Sequence, residues 1–275
     1  ATFIGTPKGK NEFYDICERA KESPDWFHSI LRASETGLLH ADELADAARE
    51  MTPEQYEQEF ECSFDAAILG AYYAAQIALA ERDGRIGEVD IDYALPVHTA
   101  WDLGKGANMA VWLWQAAPDG IRVIDYLEGQ HSDGIPEIVA KLKDKGHQYG
   151  NDYVPHDARA IEIGSGRTRV ETLVRLGRKP SVVANHRVDD GINAVRVLFN
   201  RVHINQATCG DGVEALRQYR ADYDEKMKTF KDTPRHDWTS HPADAFRYMI
   251  MAYREFFKPA EKPKRVMLPG QVYLP

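Results

Sequence analysis

Three aspartates stand where a chain could use them for chemistry. Asp102 ends the apolar run His98-Thr-Ala-Trp-Asp-Leu-Gly104, which reads as a buried strand with a carboxylate at its exit. Asp157 closes Asp152-Tyr-Val-Pro-His-Asp-Ala158 in the same way. Asp244 lies in Ser240-His-Pro-Ala-Asp-Ala-Phe-Arg-Tyr248, in the first turn of a long helix, three residues after His241 and on its face. Carboxylates at two strand ends and one helix start can converge on one edge of a sheet. Such a cluster is unstable unless divalent cations neutralise it, and a cation held there suits phosphodiester hydrolysis.

Each of these residues also has a plainer use. Asp102 could simply end its strand. Asp157 could cap a turn, and Asp244 could face a helix dipole. His241 reads equally as a cap and as a metal ligand, and Asp237 is a weaker alternative to Asp244. His156 reads as structural. Lys105, in the turn Gly104-Lys-Gly106, could touch a phosphate or simply face water. Gly164-Ser-Gly-Arg-Thr168 precedes a helix and could form an anion site with Arg167 and Arg169. No Gly-x-Ser-x-Gly elbow and no zinc-ligand spacing occurs in the sequence. Cys17, Cys62 and Cys209 are scattered, as expected of core residues in a reducing compartment.

Positioning these groups requires a sheet. From residue 98 the sequence shows three apolar runs, 98–103, 109–115 and 122–127, joined by short turns that predict an antiparallel meander. A helix over 135–145, a strand over 153–156, a helix over 168–177, a strand over 181–184 and a helix over 189–201 follow. That alternation predicts parallel strands with crossover helices, and so a mixed five-stranded α/β sheet. Residues 219–237 read as a β-hairpin excursion and 241–257 as the last helix. Residues 1–62 carry short helices over 10–21, 42–50 and 53–60 and a strand over 26–32; a longer helix over 65–82 and a linker to about residue 96 come next.

The chain of 275 residues has a net charge of −9 and no apolar run long enough to span a membrane. The charge is unevenly spread. Residues 1–100 hold 20 acidic and 8 basic residues, a net of −12; residues 101–275 hold 23 acidic and 26 basic, a net of +3. Residues 156–187 reach +4, with seven basic residues against three acidic ones. A phosphate backbone would meet the second half.

Over residues 90–257 the chain resembles the large terminase subunit of tailed bacteriophages, the motor and nuclease that packages viral DNA. Trp-Asp-Leu-Gly, Val-Pro-His-Asp and Ser-His-Pro-Ala-Asp-Ala-Phe-Arg-Tyr are similar to its nuclease motifs. Phe3-Ile-Gly-Thr-Pro-Lys-Gly9 and Gln58-Glu-Phe-Glu-Cys-Ser-Phe64 resemble segments late in its ATPase domain. The resemblance implies an RNase H-like nuclease over 97–258, preceded by an ATPase remnant over 1–64 and a helix and linker over 65–96, and followed by a mobile tail over 259–275. It implies an endonuclease with two Mg2+ or Mn2+ ions about 3.5–4 Å apart, Asp102 bridging them, Asp157 holding one, and Asp244 with His241 the other. Double-stranded DNA, a portal protein and a small terminase subunit are the implied partners, and the host cytoplasm the implied location. ATP hydrolysis is not expected, because no Gly-x-x-x-x-Gly-Lys-Ser/Thr loop occurs. The alternatives are another RNase H-like nuclease, of the resolvase or transposase type, and a catalytically silent assembly module.

Overall fold

The structure, a computed structural model, describes residues 1–7, 12–51, 53–64, 70–104, 108–130, 132–161, 166–224 and 229–256. Helices α1 (Glu12–Glu22), α2 (Ala33–Thr36), α3 (Ala41–Glu50) and α4 (Pro53–Glu59) come first, then α5 (Ala74–Arg82). The sheet strands are β1 (Ile86–Gly87), β2 (Val97–Leu103), β3 (Met109–Ala117), β4 (Gly120–Glu128), β5 (Tyr149–Val154), β6 (Pro180–Val182) and β7 (Val202–Asn205). Between and after them run α6 (Ile135–Asp144), α7 (Arg169–Arg175), α8 (Val188–Leu198), α9 (Gln206–Gln218) and α10 (Ser240–Phe256). A separate hairpin, β8 (Ala221–Asp224) with β9 (Thr229–Pro234), precedes α10.

The sheet order is β1-β7-β4-β3-β2-β5-β6, and only β3 runs against the rest. Five contiguous strands, β4-β3-β2-β5-β6, third-second-first-fourth-fifth in order of appearance after the linker, form the RNase H-like arrangement. All five predicted strands are present. Two short strands extend the sheet beyond them, so it has seven. β1 lies in the predicted linker, and β7 with α9 fills a stretch for which the sequence pattern predicts no element. β7 is four residues long and alternates buried with half-buried positions, too short a pattern to stand out. α9 carries Gly210 and Gly212, which lower its local helical signal. Gly212 has a packing reason: a Cβ there would collide with the Trp112 ring.

Alternation along the strands sorts the core into two layers. Ala100, Ala110 and Trp112 face α5, α8, α9 and α10; Val97, Trp101, Leu103 and Val111 face α6 and α7. Helix α10 crosses the first face, where Trp112 Nε1 donates to the Pro242 carbonyl at 2.9 Å and packs edge-on to Phe246.

Two local expectations need correction. The helix predicted over 65–82 begins at Ala74: Gly70 takes φ +77° with the Phe230 ring against it, and Ala71 bridges Arg220. Residues 26–32, predicted as a strand, form neither strand nor helix. The expected tail over 259–275 lies outside the described residues.

Candidate active site

The C-terminal ends of β2, β4 and β5 share one sheet edge, the usual ligand side of a parallel sheet. Asp102 is the penultimate residue of β2. It pairs with Ala110 on β3, which pairs with Glu128 at the end of β4. Two-residue alternation from Ala100 turns Asp102 towards α10. The start of α10 is held there by a tight turn: Asp237 Oδ1 accepts from Thr239 N at 3.0 Å and Thr239 Oγ1 at 2.6 Å, and Ser240 Oγ donates to the Arg235 carbonyl at 3.2 Å. Pro242 in the first helical turn loses no hydrogen bond by lacking an N–H.

That turn sets His241 against Asp102, with Nδ1 donating to Oδ2 at 2.7 Å. Both side chains are about one-fifth exposed, 21% and 18%. The hydrogen bond to Asp102 raises the His241 pKa, and burial works against it. Asp244, one turn on, keeps 30% of its side chain exposed and accepts from Arg247 Nη2 at 2.5 Å. Burial raises the Asp244 pKa, with Arg247 opposing and the Asp102 charge adding to the rise.

Asp157 is not at a strand end. β5 stops at Val154, and Asp157 sits exposed in a 3-10 turn, His156–Arg159, just beyond. Pro155 enforces the break, since the ladder cannot continue through a residue without an N–H. The strand also ends before His156, so alternation does not orient that residue. Tyr248 is half-buried one turn after Asp244; burial raises its pKa, with the three predicted carboxylates, Asp244, Asp102 and Asp157, adding to the rise. They do not form a ready-made cage: among the described residues no three acidic, histidine or cysteine side chains are arranged as a metal cluster. Asp102 and Asp244 are each tied to a base instead.

Arg167 and Arg169 flank Thr168, which caps α7 in a box with Glu171 (Thr168 Oγ1 accepts from Glu171 N at 3.1 Å). The crossover that leaves β5 through Asp157 leads into this cap, so both arginines lie on the Asp157 side of the sheet. Lys105, Gly164 and Ser165 lie outside the described residues. One member of the basic stretch is not on the surface. The Arg178 side chain is 5% exposed and grips the fully buried Asp152, with Nε at 3.0 and 3.2 Å and Nη2 closing the fork.

Sequence reasoning missed three groups here. Arg247 follows Asp244 at ion-pair spacing, a signal that was available. Glu128 stands in line with Asp102 across β3 and adds negative charge near His241. The exposed His236 packs its ring 5.7 Å from that of His241.

Comparison with known proteins agrees with the motif reading. No family model matches the sequence. The terminase large subunit of Escherichia phage T5 is 24% identical over 261 residues, 91% of this chain and 57% of that protein. The large terminase of a thermophilic bacteriophage superposes with a TM-score of 0.52 at 15% identity, covering 90% of this chain and 61% of that one. A second crystal form of the same protein gives 0.50 at 16% identity, covering 90% and 60%. The chain thus spans about three-fifths of the length of the proteins it matches. In sequence and in fold, the chain is similar to the large terminase subunits of bacteriophages.

Proposed function

We propose that this chain is the nuclease portion of a genome-packaging terminase, a metal-dependent endonuclease that cuts concatemeric double-stranded DNA. One observation carries the reading: Asp102, His241 and Asp244 meet at the C-terminal edge of an RNase H-like sheet, with Asp157 on the turn beside them. The donor chemistry suits Mg2+ or Mn2+, with hard carboxylate oxygens and one imidazole. Asp102, Asp157 and Asp244, with His241, would hold two ions. Bound there, the ions would polarise the scissile phosphate and make water a better nucleophile.

The protein's own groups do the positioning. β2 fixes Asp102 through ladder bonds on both sides, to β3 and to β5. The His241 imidazole donates to Asp102, and the Arg247 guanidinium offsets the Asp244 charge. Lys105, Arg167 and Arg169 would bind the backbone without reading bases, and in-line attack would leave 5′-phosphate and 3′-hydroxyl ends.

Within this reading residues 1–64 are the last part of an ATPase domain, 65–96 a helix and linker, 97–258 the nuclease and 259–275 a tail. Supporting the first assignment, Phe3, Ile4, Trp26, Phe27, Leu31 and Leu38 are all exposed, more apolar surface than so short a stretch would show to water unless it packs on something. The portal protein, the small terminase subunit and the host cytoplasm follow from the same assignment. No described helix is long and apolar enough to cross a membrane. The test is plasmid nicking by the purified chain. Mn2+ or Mg2+ should support it, EDTA should stop it, and Asp102→Ala should abolish it with the circular dichroism unchanged. His241→Ala should cost less, because a neutral ligand removes less charge compensation. Cutting that survives EDTA, or an Asp102→Ala protein that cuts at the parental rate, refutes the reading.

A further inference from the structure

Arg247 is costly where it stands. It lies on the core-facing side of α10, 5% exposed, among Phe246, Ile250 and other apolar side chains. Its Nη2 reaches Asp244, while Nε is buried with no partner among the described residues. Burial disfavours the guanidinium charge, and the adjacent Asp244 carboxylate more than offsets this. A buried ion pair is at best neutral against apolar residues of the same size, and an unmet buried N–H costs further stability. Stability therefore does not account for the residue. The surroundings hold it in one place: a Cβ at Gly191 would meet Arg247 Cδ at 3.1 Å, and the Tyr248 ring lies 5.9 Å from the guanidinium carbon. The arginine is clamped along its stem and free only at the end that meets Asp244.

We propose that Arg247 is a positioning residue that holds Asp244 ready for a divalent cation. It holds one carboxylate oxygen, Oδ1, and leaves Oδ2 for a cation. Without that hydrogen bond a carboxylate on a single Cβ bond rotates among its allowed angles, and ordering it on binding costs affinity. The inference rests on the metal reading of Asp244, and the experiment separates the two.

Mn2+ binding to the purified chain is measured directly, by the loss of free-ion electron paramagnetic resonance signal, for the parent, Asp244→Ala, Arg247→Gln and Arg247→Lys, with circular dichroism as the control for folding. Asp244→Ala should lose binding. Arg247→Gln should weaken it about 10–100-fold, the usual cost of removing a group that orients a metal ligand. Arg247→Lys keeps the charge, and with it the fold, but not the guanidinium N–H that reaches Oδ1; it should also bind more weakly than the parent, and more tightly than Arg247→Gln. In an Asp244→Asn background Arg247→Gln should have no further effect, because it acts through that carboxylate. If Asp244→Ala binds Mn2+ as the parent does, the metal reading and the inference fall together. If Asp244→Ala loses binding while a folded Arg247→Gln or Arg247→Lys protein binds with parental affinity, the positioning role alone is overturned. Should Arg247→Gln fail to fold, the Arg247→Lys result decides.

Discussion

Replacing Asp152 with alanine should destabilise the protein more than any surface change in the basic stretch around it. Asp152 is fully buried in the middle of β5. Its carboxylate accepts from Thr99 Oγ1 at 2.5 Å on β2, from Lys179 N at 3.0 Å, and from the guanidinium of Arg178. Thr99 Oγ1 in turn accepts from Trp101 Nε1 at 2.6 Å. One carboxylate thus ties together β2, β5 and the turn into β6. Alanine leaves the Arg178 cation buried, with only the Tyr149 ring at 4.2 Å to offset it. Breaking such a pair by removing one partner costs about 3–5 kcal/mol. A typical domain has about 5–15 kcal/mol in all, so about a fifth or more of the stability is at stake. The damage should reach the site as well, because Thr99 and Asp102 share β2 while Asp152 leads through β5 to the Asp157 turn. The assay is urea unfolding followed by tryptophan fluorescence. Asp152→Leu with Arg178→Met, which removes both charges, should recover most of the loss. A cost for Asp152→Ala of less than about 1 kcal/mol, the size of an exposed pair, would refute the argument.

Three further outcomes follow from particular contacts. Neutralising Arg167 and Arg169 together should weaken binding to duplexes of any sequence and flatten the salt dependence measured by fluorescence anisotropy, since each phosphate contact releases counterion; an unchanged slope would place the DNA elsewhere, for instance on the β8–β9 hairpin. Gly212→Ala should cost about 1–3 kcal/mol by urea unfolding, because the added methyl must displace the buried Trp112 ring; a neutral result would mean that α9 can slide off the sheet freely. Burial lowers the pKa of His98 below its usual 6.5, and its Nδ1 accepts from Asn151 N at 3.0 Å, which requires the neutral ring. The unfolded chain therefore binds a proton before the native protein does, and the stability held above the unfolded value is lost as pH falls through about 6.5 towards the lower native value. His98→Gln should show a shallower fall over the same window, and an identical pH profile for the two proteins would contradict this.

The strands that form the site were legible because each is a continuous apolar run. β2 to β4 appear almost residue for residue, and Asp102 stands out as a carboxylate inside such a run. His241 and Asp244 could be placed on one face from helical spacing alone. Local pattern carries this information because alternation and the 3.6-residue period record which side of an element is buried.

Pattern says nothing about what lies across the gap, and there the tertiary structure decided. β7 exists because β4 and β1 offer it ladder partners, not because Val202–Asn205 is a strong strand. Arg178 counts as surface charge in the sequence and turns out to be internal, since its partner Asp152 is 26 residues away on another strand. His241 meets Asp102 across 139 residues. Asp157 leaves its strand because β5 ends where Pro155 removes a donor, and it sits in the 3-10 turn that follows. Helical spacing could have paired Arg247 with Asp244, but its burial depends on packing against the sheet and α8. The sequence by itself determined which residues were able to do the chemistry, because residue type and local period are written in it. Which of them face one another was decided only by the fold, because ion pairs and strand ladders form between groups that the chain brings together from far apart.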